Sequence, residues 1–306
     1  MSTVRRPDLE ALPYKAPSFI ASTILPFLPK MVKAGTQYYQ DILSDVSAQT
    51  DRTLAEAPTA TAIASASTTF NLSGDEKIHR AKIDASEIEQ LGGLDRAQQK
   101  AARKGKRAVM KAVEDAVVTA TFGGTGFSTR DILNSFDNAI KLAKEQIQDY
   151  ADGRVALFGA RRIVDRLKRY SEITAKMIYT GMVNSDQARD VRNISDDILA
   201  GAIGVDIVLA GPSTEWLGAA SAYDGYLGLC ILPDGNVEPD EEIQLGRIPI
   251  LDLGNGQNMM VESFFSDDLK SEVVDTSLWA EVLMFNREAC YILKGVDESN
   301  TVTTTD

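Results

Sequence analysis

The sequence predicts an α+β protein, and three observations carry that reading. A Pro-free run over residues 95–121 repeats Ala and Val at spacings of three, four and seven, the pattern of one long helix with a narrow small-residue face. Over residues 131–253 helical patterns alternate with short apolar strands, as in a compact mixed α/β unit. After Trp216 the texture turns to β, with strand-like runs separated by turns rich in Asn and Gly.

The chain opens on an arm. Pro7, Pro13, Pro17, Pro26 and Pro29 punctuate residues 1–30, and each pushes its predecessor away from helix, so this stretch is expected to be extended. Residues 35–46 hold turn and aromatic residues suited to a short strand or helix. Residues 55–72 are rich in Ala, Ser and Thr. Their weak alternation fits a long β-hairpin, and a disordered linker fits it as well. The first 83 residues are apolar enough to need a partner but carry no pattern for folding on themselves. They are expected to finish folding against a neighbouring copy.

Asp84 opens a helical stretch that Gly92 and Gly93 interrupt. The long helix follows; at about 1.5 Å per residue it extends for roughly 40 Å. Gly123 and Gly124 stop it. Ser128, with Asp131 three residues on, reads as the N-cap of a second helix whose face carries Ile132, Phe136, Ile140 and Ile147. Residues 155–158 form a short buried strand. A third helix is expected over residues 159–182, basic on its outer face through Arg161, Arg162, Arg166, Lys168 and Arg169. A short helix at 196–202 and a buried strand at 205–210 follow. Strand-like runs at 227–232, 259–265 and 272–293 complete the pattern, and the last ten residues read as a flexible tail.

Composition narrows the function classes. The 306 residues are 44% apolar and 25% charged, ordinary for a globular protein of one or two domains. Net charge is −12, and residues 238–306 alone hold 15 acids against 4 bases, leaving 29 acids and 28 bases in the first 237. No overall field draws nucleic acid, so such contact needs a local basic patch. No run reaches the roughly 18 apolar residues of a membrane helix. Asp8 and Glu10 interrupt any secretory leader. Cys230 and Cys290 lie in apolar surroundings; they read as buried reduced thiols of an intracellular protein, and a disulfide between them is the alternative.

The candidate chemistry is thin. His79 is the single histidine, in an Asp-Glu-Lys-Ile-His-Arg context expected to be exposed, with no nucleophile elbow anywhere. The run Gly123-Gly-Thr-Gly-Phe-Ser-Thr has phosphate-loop texture but lacks the Walker Lys and joins two expected helices, which favours a plain connector. Asp234, Asn236, Glu238 and Asp240 alternate like a calcium loop, but Pro239 and Leu245 occupy the positions that need Gly and Glu. Two isolated cysteines and one histidine exclude a zinc site. Residues 100–111 pack six bases with no acid, either a solvated helix face or a surface toward nucleic acid without stacking aromatics. No catalytic, cofactor-binding or metal-binding residue is assigned, and no cofactor is expected.

Taken in order, these pieces resemble the major capsid protein of tailed bacteriophages, the Hong Kong 97-like capsid fold shared with encapsulins. The resemblance runs over residues 34–293. Gly35-Thr-Gln-Tyr-Tyr and Thr53-Leu-Ala-Glu-Ala-Pro look like the arm leading into the extended loop. Residues 70–90 look like the strand feeding the spine helix, and Gly204-Val-Asp-Ile-Val-Leu like the central strand of the axial domain. The resemblance implies an N-terminal arm at 1–50 and an extended β-hairpin loop at 51–83. It implies a peripheral domain with a long spine helix at 84–130 and 254–296, an axial domain at 131–253, and a flexible tail at 297–306.

The function implied is structural, with no enzyme activity. Copies would form pentamers and hexamers and close into an icosahedral shell around double-stranded phage DNA, bound on the inner face without sequence specificity. Separate scaffolding, portal or decoration proteins are the implied partners, with no membrane contact. The location implied is the virion, assembled in the bacterial host cytoplasm. An encapsulin-like nanocompartment shell is the alternative, and an enzyme using carboxylates alone is a third reading. Lys77 and Lys82 lie where some relatives place a crosslinking Lys, but nothing identifies a partner for either.

Overall fold

The computed structural model describes residues 4–13, 19–27, 37–40, 68–71, 76–131, 136–148, 153–184, 194–232, 245–250 and 259–296. The N-terminal segment is not extended throughout. It holds β1 (Val4–Arg5), then one-turn helices α1 (Pro7–Glu10) and α2 (Ala21–Ile24). Pro7 stands in the first turn of α1, where its missing N–H costs nothing. Nor does this segment wait for a neighbour to bury it. Leu9, Ile24 and Leu25 are at most 1% exposed, packed on the chain's own core. Tertiary burial has overridden the local signal that the prolines send. β2 (Gln37–Gln40) and β3 (Thr68–Asn71) pair antiparallel; of the stretch 55–72 expected as a hairpin, all but β3 lies outside the described residues.

β4 (Glu76–Ile83) leads into α3 (Ala85–Leu91) and α4 (Leu94–Phe122). Gly92 caps α3 at φ 74°, a left-handed conformation that favours glycine, and Gly93 at φ 141° turns the chain into α4. The 29-residue α4 joins two hydrophobic cores. Ala97, Ala101 and Ala102 pack with Leu9, Ile83, Val261 and Val274 in the smaller one. Val109, Val113, Val117, Val118 and Phe122 belong to the larger.

The expected cap at Ser128 is a strand instead, β5 (Ser128–Asp131), and the helix begins later as α5 (Phe136–Gln148). A parallel ladder with residues 291–294 takes up the backbone groups that a helical turn would have used. β6 (Arg154–Ala160) follows. The single helix expected over 159–182 is two, α6 (Arg161–Leu167) and α7 (Ser171–Tyr179). The chain breaks where Lys168 and Tyr170, 4% and 3% exposed, turn inward. Lys168 is therefore not part of a basic outer face. α8 (Asp196–Ile203), β7 (Ile207–Gly211) and α9 (Ser213–Trp216) complete this part.

The C-terminal strands are β8 (Leu227–Leu232), β9 (Gly246–Arg247), β10 (Met260–Ser266), β11 (Ser271–Trp279), β12 (Leu283–Met284) and β13 (Cys290–Lys294). They form two main sheets with the earlier strands. One is antiparallel, in the order β1-β10-β11-β4; the other is mixed, β5-β13-β8-β6-β7. The region 254–296, expected to stay with the long helix's sheet, is thus divided. β13 crosses to the mixed sheet, because Cys-Tyr-Ile-Leu is apolar on both faces and suits an interior strand. β4, from the expected loop region, pairs with β11 along eight residues of the antiparallel sheet.

Candidate functional site

The arrangement with the most polar specificity is the seat of the N-terminal segment on α4. Lys106, 3% exposed, donates from Nζ to the carbonyls of Glu10 (2.6 Å) and Leu12 (2.8 Å). Two turns on, Glu114, 1% exposed, accepts the backbone N–H groups of Ile20 (3.0 Å) and Ala21 (2.9 Å) and the indole N–H of Trp216. A cation holds carbonyls and an anion holds amides, so each buried charge meets backbone groups of the matching polarity. Burial pushes the Lys106 ammonium below its usual range. Burial pushes the Glu114 carboxyl up, against the pull of its three N–H donors.

Side-chain pairs reinforce the seat. Arg5 bonds Glu10 at 3.0 Å, and Glu10 in turn accepts the Val261 N–H at 3.2 Å. Arg6 meets Asp8 through two nitrogens and Gln98 through a third, at 2.6 Å. Neither Lys106 nor Glu114 was singled out for this role from sequence; Lys106 was one of six bases on an expected outer face. A signal exists, since Ala102, Lys106, Val109 and Val113 share one helical stripe, and a charge inside an apolar stripe demands a partner. The remaining bases of the segment, Lys100, Arg103, Lys104, Arg107 and Lys111, are exposed as expected.

The catalytic candidates resolve into structure. His79 is not exposed as expected; it is half-buried on β4, in register with Thr276, beneath Gly105 of α4. The glycine-rich run after α4 leads into β5 and does not join two helices. Arg287 donates to the Thr125 carbonyl there and lies 5.8 Å over the Phe127 ring. Cys230 and Cys290 are register partners across β8 and β13, both free and buried. Burial pushes the Cys230 thiol up to about 12 and the Cys290 thiol well above its ordinary value. Asp234, Asn236, Glu238 and Asp240 lie outside the described residues. Among the described residues no His, Cys, Asp and Glu gather in threes to hold a metal, and no helix is long and apolar enough to cross a membrane.

Two surface features remain. A groove of about 550 Å³ runs between α4 and residues 280–282, with Ala112, Ala116 and Ile248 on its walls and Lys77, Asp115 and Glu281 at its polar edge. Lys82 pairs with Asp84 at 3.0 Å. At and just beyond the end of α7, the apolar side chains of Ile178, Tyr179 and Met182 are 41%, 93% and 41% exposed.

No protein-family model matches the chain, and no curated protein matches it by sequence. Solved structures do share its fold. A phage-related protein from Bordetella bronchiseptica RB50 superposes with a TM-score of 0.68 at 14% identity, covering 98% of this chain and 99% of that one. The capsid structure of cyanophage P-SCSP1u gives 0.57 at 11% identity over 93% and 90% of the two chains. A prophage protein of Escherichia coli CFT073 gives 0.50 at 11% identity over 96% and 99%. The chain has the Hong Kong 97-like capsid fold, in the α+β class that its sequence predicts.

Proposed function

We propose that the chain is the major capsid subunit of a tailed phage or prophage, and that its copies close into an icosahedral shell around double-stranded DNA. The observation that carries this reading is the likeness of fold to phage proteins, which extends over 98%, 93% and 96% of the sequence in three of them. In this reading α4 and the antiparallel sheet form the peripheral domain. The mixed sheet with α5 to α8 forms the axial domain, while β1 and β4, from the expected arm and loop regions, belong to the peripheral sheet.

The surface supports assembly. Exposed apolar side chains mark interaction sites on soluble proteins, and Ile178, Tyr179 and Met182 stand exposed at and just beyond the end of α7. Pentamers and hexamers built through such patches are the proposed intermediates, with scaffolding and portal functions supplied by other chains. The role is structural, and its place is the virion, after assembly in the host cytoplasm.

Negative-stain electron microscopy of the expressed full-length chain, alone and with the scaffolding protein encoded nearest its gene, tests the reading. Icosahedral shells or capsomers are expected. A species that stays monomeric under every such condition would overturn it. Nuclease-protected DNA inside shells formed during infection or induction is expected; shells filled with one cargo enzyme and no DNA would transfer the chain to the encapsulin-like alternative.

A further inference from the structure

Between Asp95 and Glu114 the long helix α4 carries no acid, and seven bases lie in that interval. Lys106 is buried beneath the N-terminal segment. The other six, Arg96, Lys100, Arg103, Lys104, Arg107 and Lys111, are all exposed. Their spacings of three and four residues place them along one side of the helix. Such a row is not a by-product of composition, because the chain as a whole carries −12.

The row works against the helix that bears it. Arg96 with Lys100, Lys100 with Lys104, Arg103 with Arg107, and Arg107 with Lys111 are like charges at i,i+4, and each such pair destabilises a helix about as much as an opposite pair supports it. A face that served only to stay wet would alternate signs, as α5 does with Lys141 and Glu145. Glu87 reaches Lys100 at 2.7 Å and Asp115 reaches Lys111 at 3.3 Å, with Arg103 and Lys104 between them. A bound polyanion would relieve the repulsion along the whole row.

The geometry selects the polyanion. From Arg96 to Lys111 the row extends for about 22 Å of helix. Duplex DNA presents a phosphate charge about every 1.7 Å of its axis with both strands counted, so a row of this length runs beside a dense array of phosphates in any register. Residues 96–121 contain no aromatic side chain on which single-stranded bases would stack. We infer that the exposed basic face of α4 binds the phosphate backbone of double-stranded DNA without reading its sequence. The inference rests on the shell reading above, which supplies the duplex, and it names the surface that faces it.

Fluorescence anisotropy of a labelled 30-base-pair duplex of arbitrary sequence, titrated with the full-length protein between about 50 and 200 mM salt, tests it. Binding is expected to weaken with salt, the slope of log K against log salt falling by about 0.9 for each phosphate neutralised. Arg103→Glu with Lys104→Glu should lower affinity about tenfold or more at the low-salt end and flatten the slope by about two. Lys141→Glu, a reversal on α5, should change neither. Equal affinity and slope in the double variant would overturn the inference, as would no duplex binding by the folded wild type at 50 mM salt. Loss of shells by the double variant at unchanged duplex affinity would also overturn it, making the row a contact between copies. Electron microscopy of the wild type separates the two readings: wild-type shells with an unresponsive double variant sink this inference alone, and the absence of wild-type shells sinks the shell.

Discussion

The Glu114 carboxylate accepts the backbone N–H of Ala21 at 2.9 Å, across 93 residues of sequence. With the Ile20 N–H and the Trp216 indole on the same carboxylate, one side chain of α4 ties the N-terminal segment to the helix and to α9. Glu114→Ala leaves three buried donors unpaired, each costing about 1–3 kcal/mol, so a loss of about 3 kcal/mol or more is expected. Hydrogen exchange should show the Ile20 and Ala21 amides losing protection while those in the middle of β6 keep theirs. Unchanged protection at Ala21 would mean that apolar packing, and not Glu114, holds the segment.

At Gly105 the helix α4 approaches the antiparallel sheet closely. A Cβ there would collide with the hydroxyl of Thr276 and come within 2.8 Å of its Cβ, and Thr276 is fully buried on the central strand β11. The glycine is present for close approach, since helix propensity alone would favour Ala. Gly105→Ala is therefore expected to destabilise, by about 1–3 kcal/mol, where an open helix site would be stabilised. Urea unfolding of the subunit reads the sign directly; a gain in stability would show that the sheet yields without strain.

How much of this was legible depends on the range of each interaction. The long helix announced itself because Ala97, Ala101, Val109, Val113 and Val117 repeat within one element, and Gly93 marks its start by a local backbone demand. The seat of the N-terminal segment did not, because Lys106 finds its carbonyls 94 and 96 residues away. β5 was hidden for the same reason. Four residues have no periodicity of their own, and Ser128 to Asp131 become a strand only through Tyr291 to Lys294. His79 looked exposed in a charged run, yet a strand turns alternate residues to opposite faces, and its face is the one beneath α4.

Asp196 links α6 to α8 by accepting from Lys168 at 2.8 Å and, through both carboxylate oxygens, from one guanidinium nitrogen of Arg161. Burial pushes its carboxyl up, but Lys168 and Arg161 outweigh burial and hold it below the ordinary value. A carboxylate depressed by folding contributes stability that is complete above its unfolded value and is lost as pH falls through its folded one. The wild type should therefore lose stability below the ordinary carboxylate range near 4. Asp196→Asn should start less stable at neutral pH and lose less on acidification. Parallel pH profiles for the two proteins would remove Asp196 from the acid response.

Cys230 and Cys290 face each other across β8 and β13 with neither thiol exposed. The thiolate is the reactive form, and burial holds Cys230 at about 12 and Cys290 well above its usual value. At pH 8 the thiolate fraction of Cys230 is then on the order of one in ten thousand, before any steric barrier is counted. A chromogenic disulfide reagent should accordingly find no reactive thiol in the native protein and two after denaturation in guanidinium. Cys230→Ser should not alter the native result but should cost stability, because a hydroxyl replaces a small apolar group in a packed sheet. Rapid labelling of two thiols in the folded chain would show that β13 opens from β8 on the timescale of the assay, and would place the mixed sheet among the labile parts of the fold.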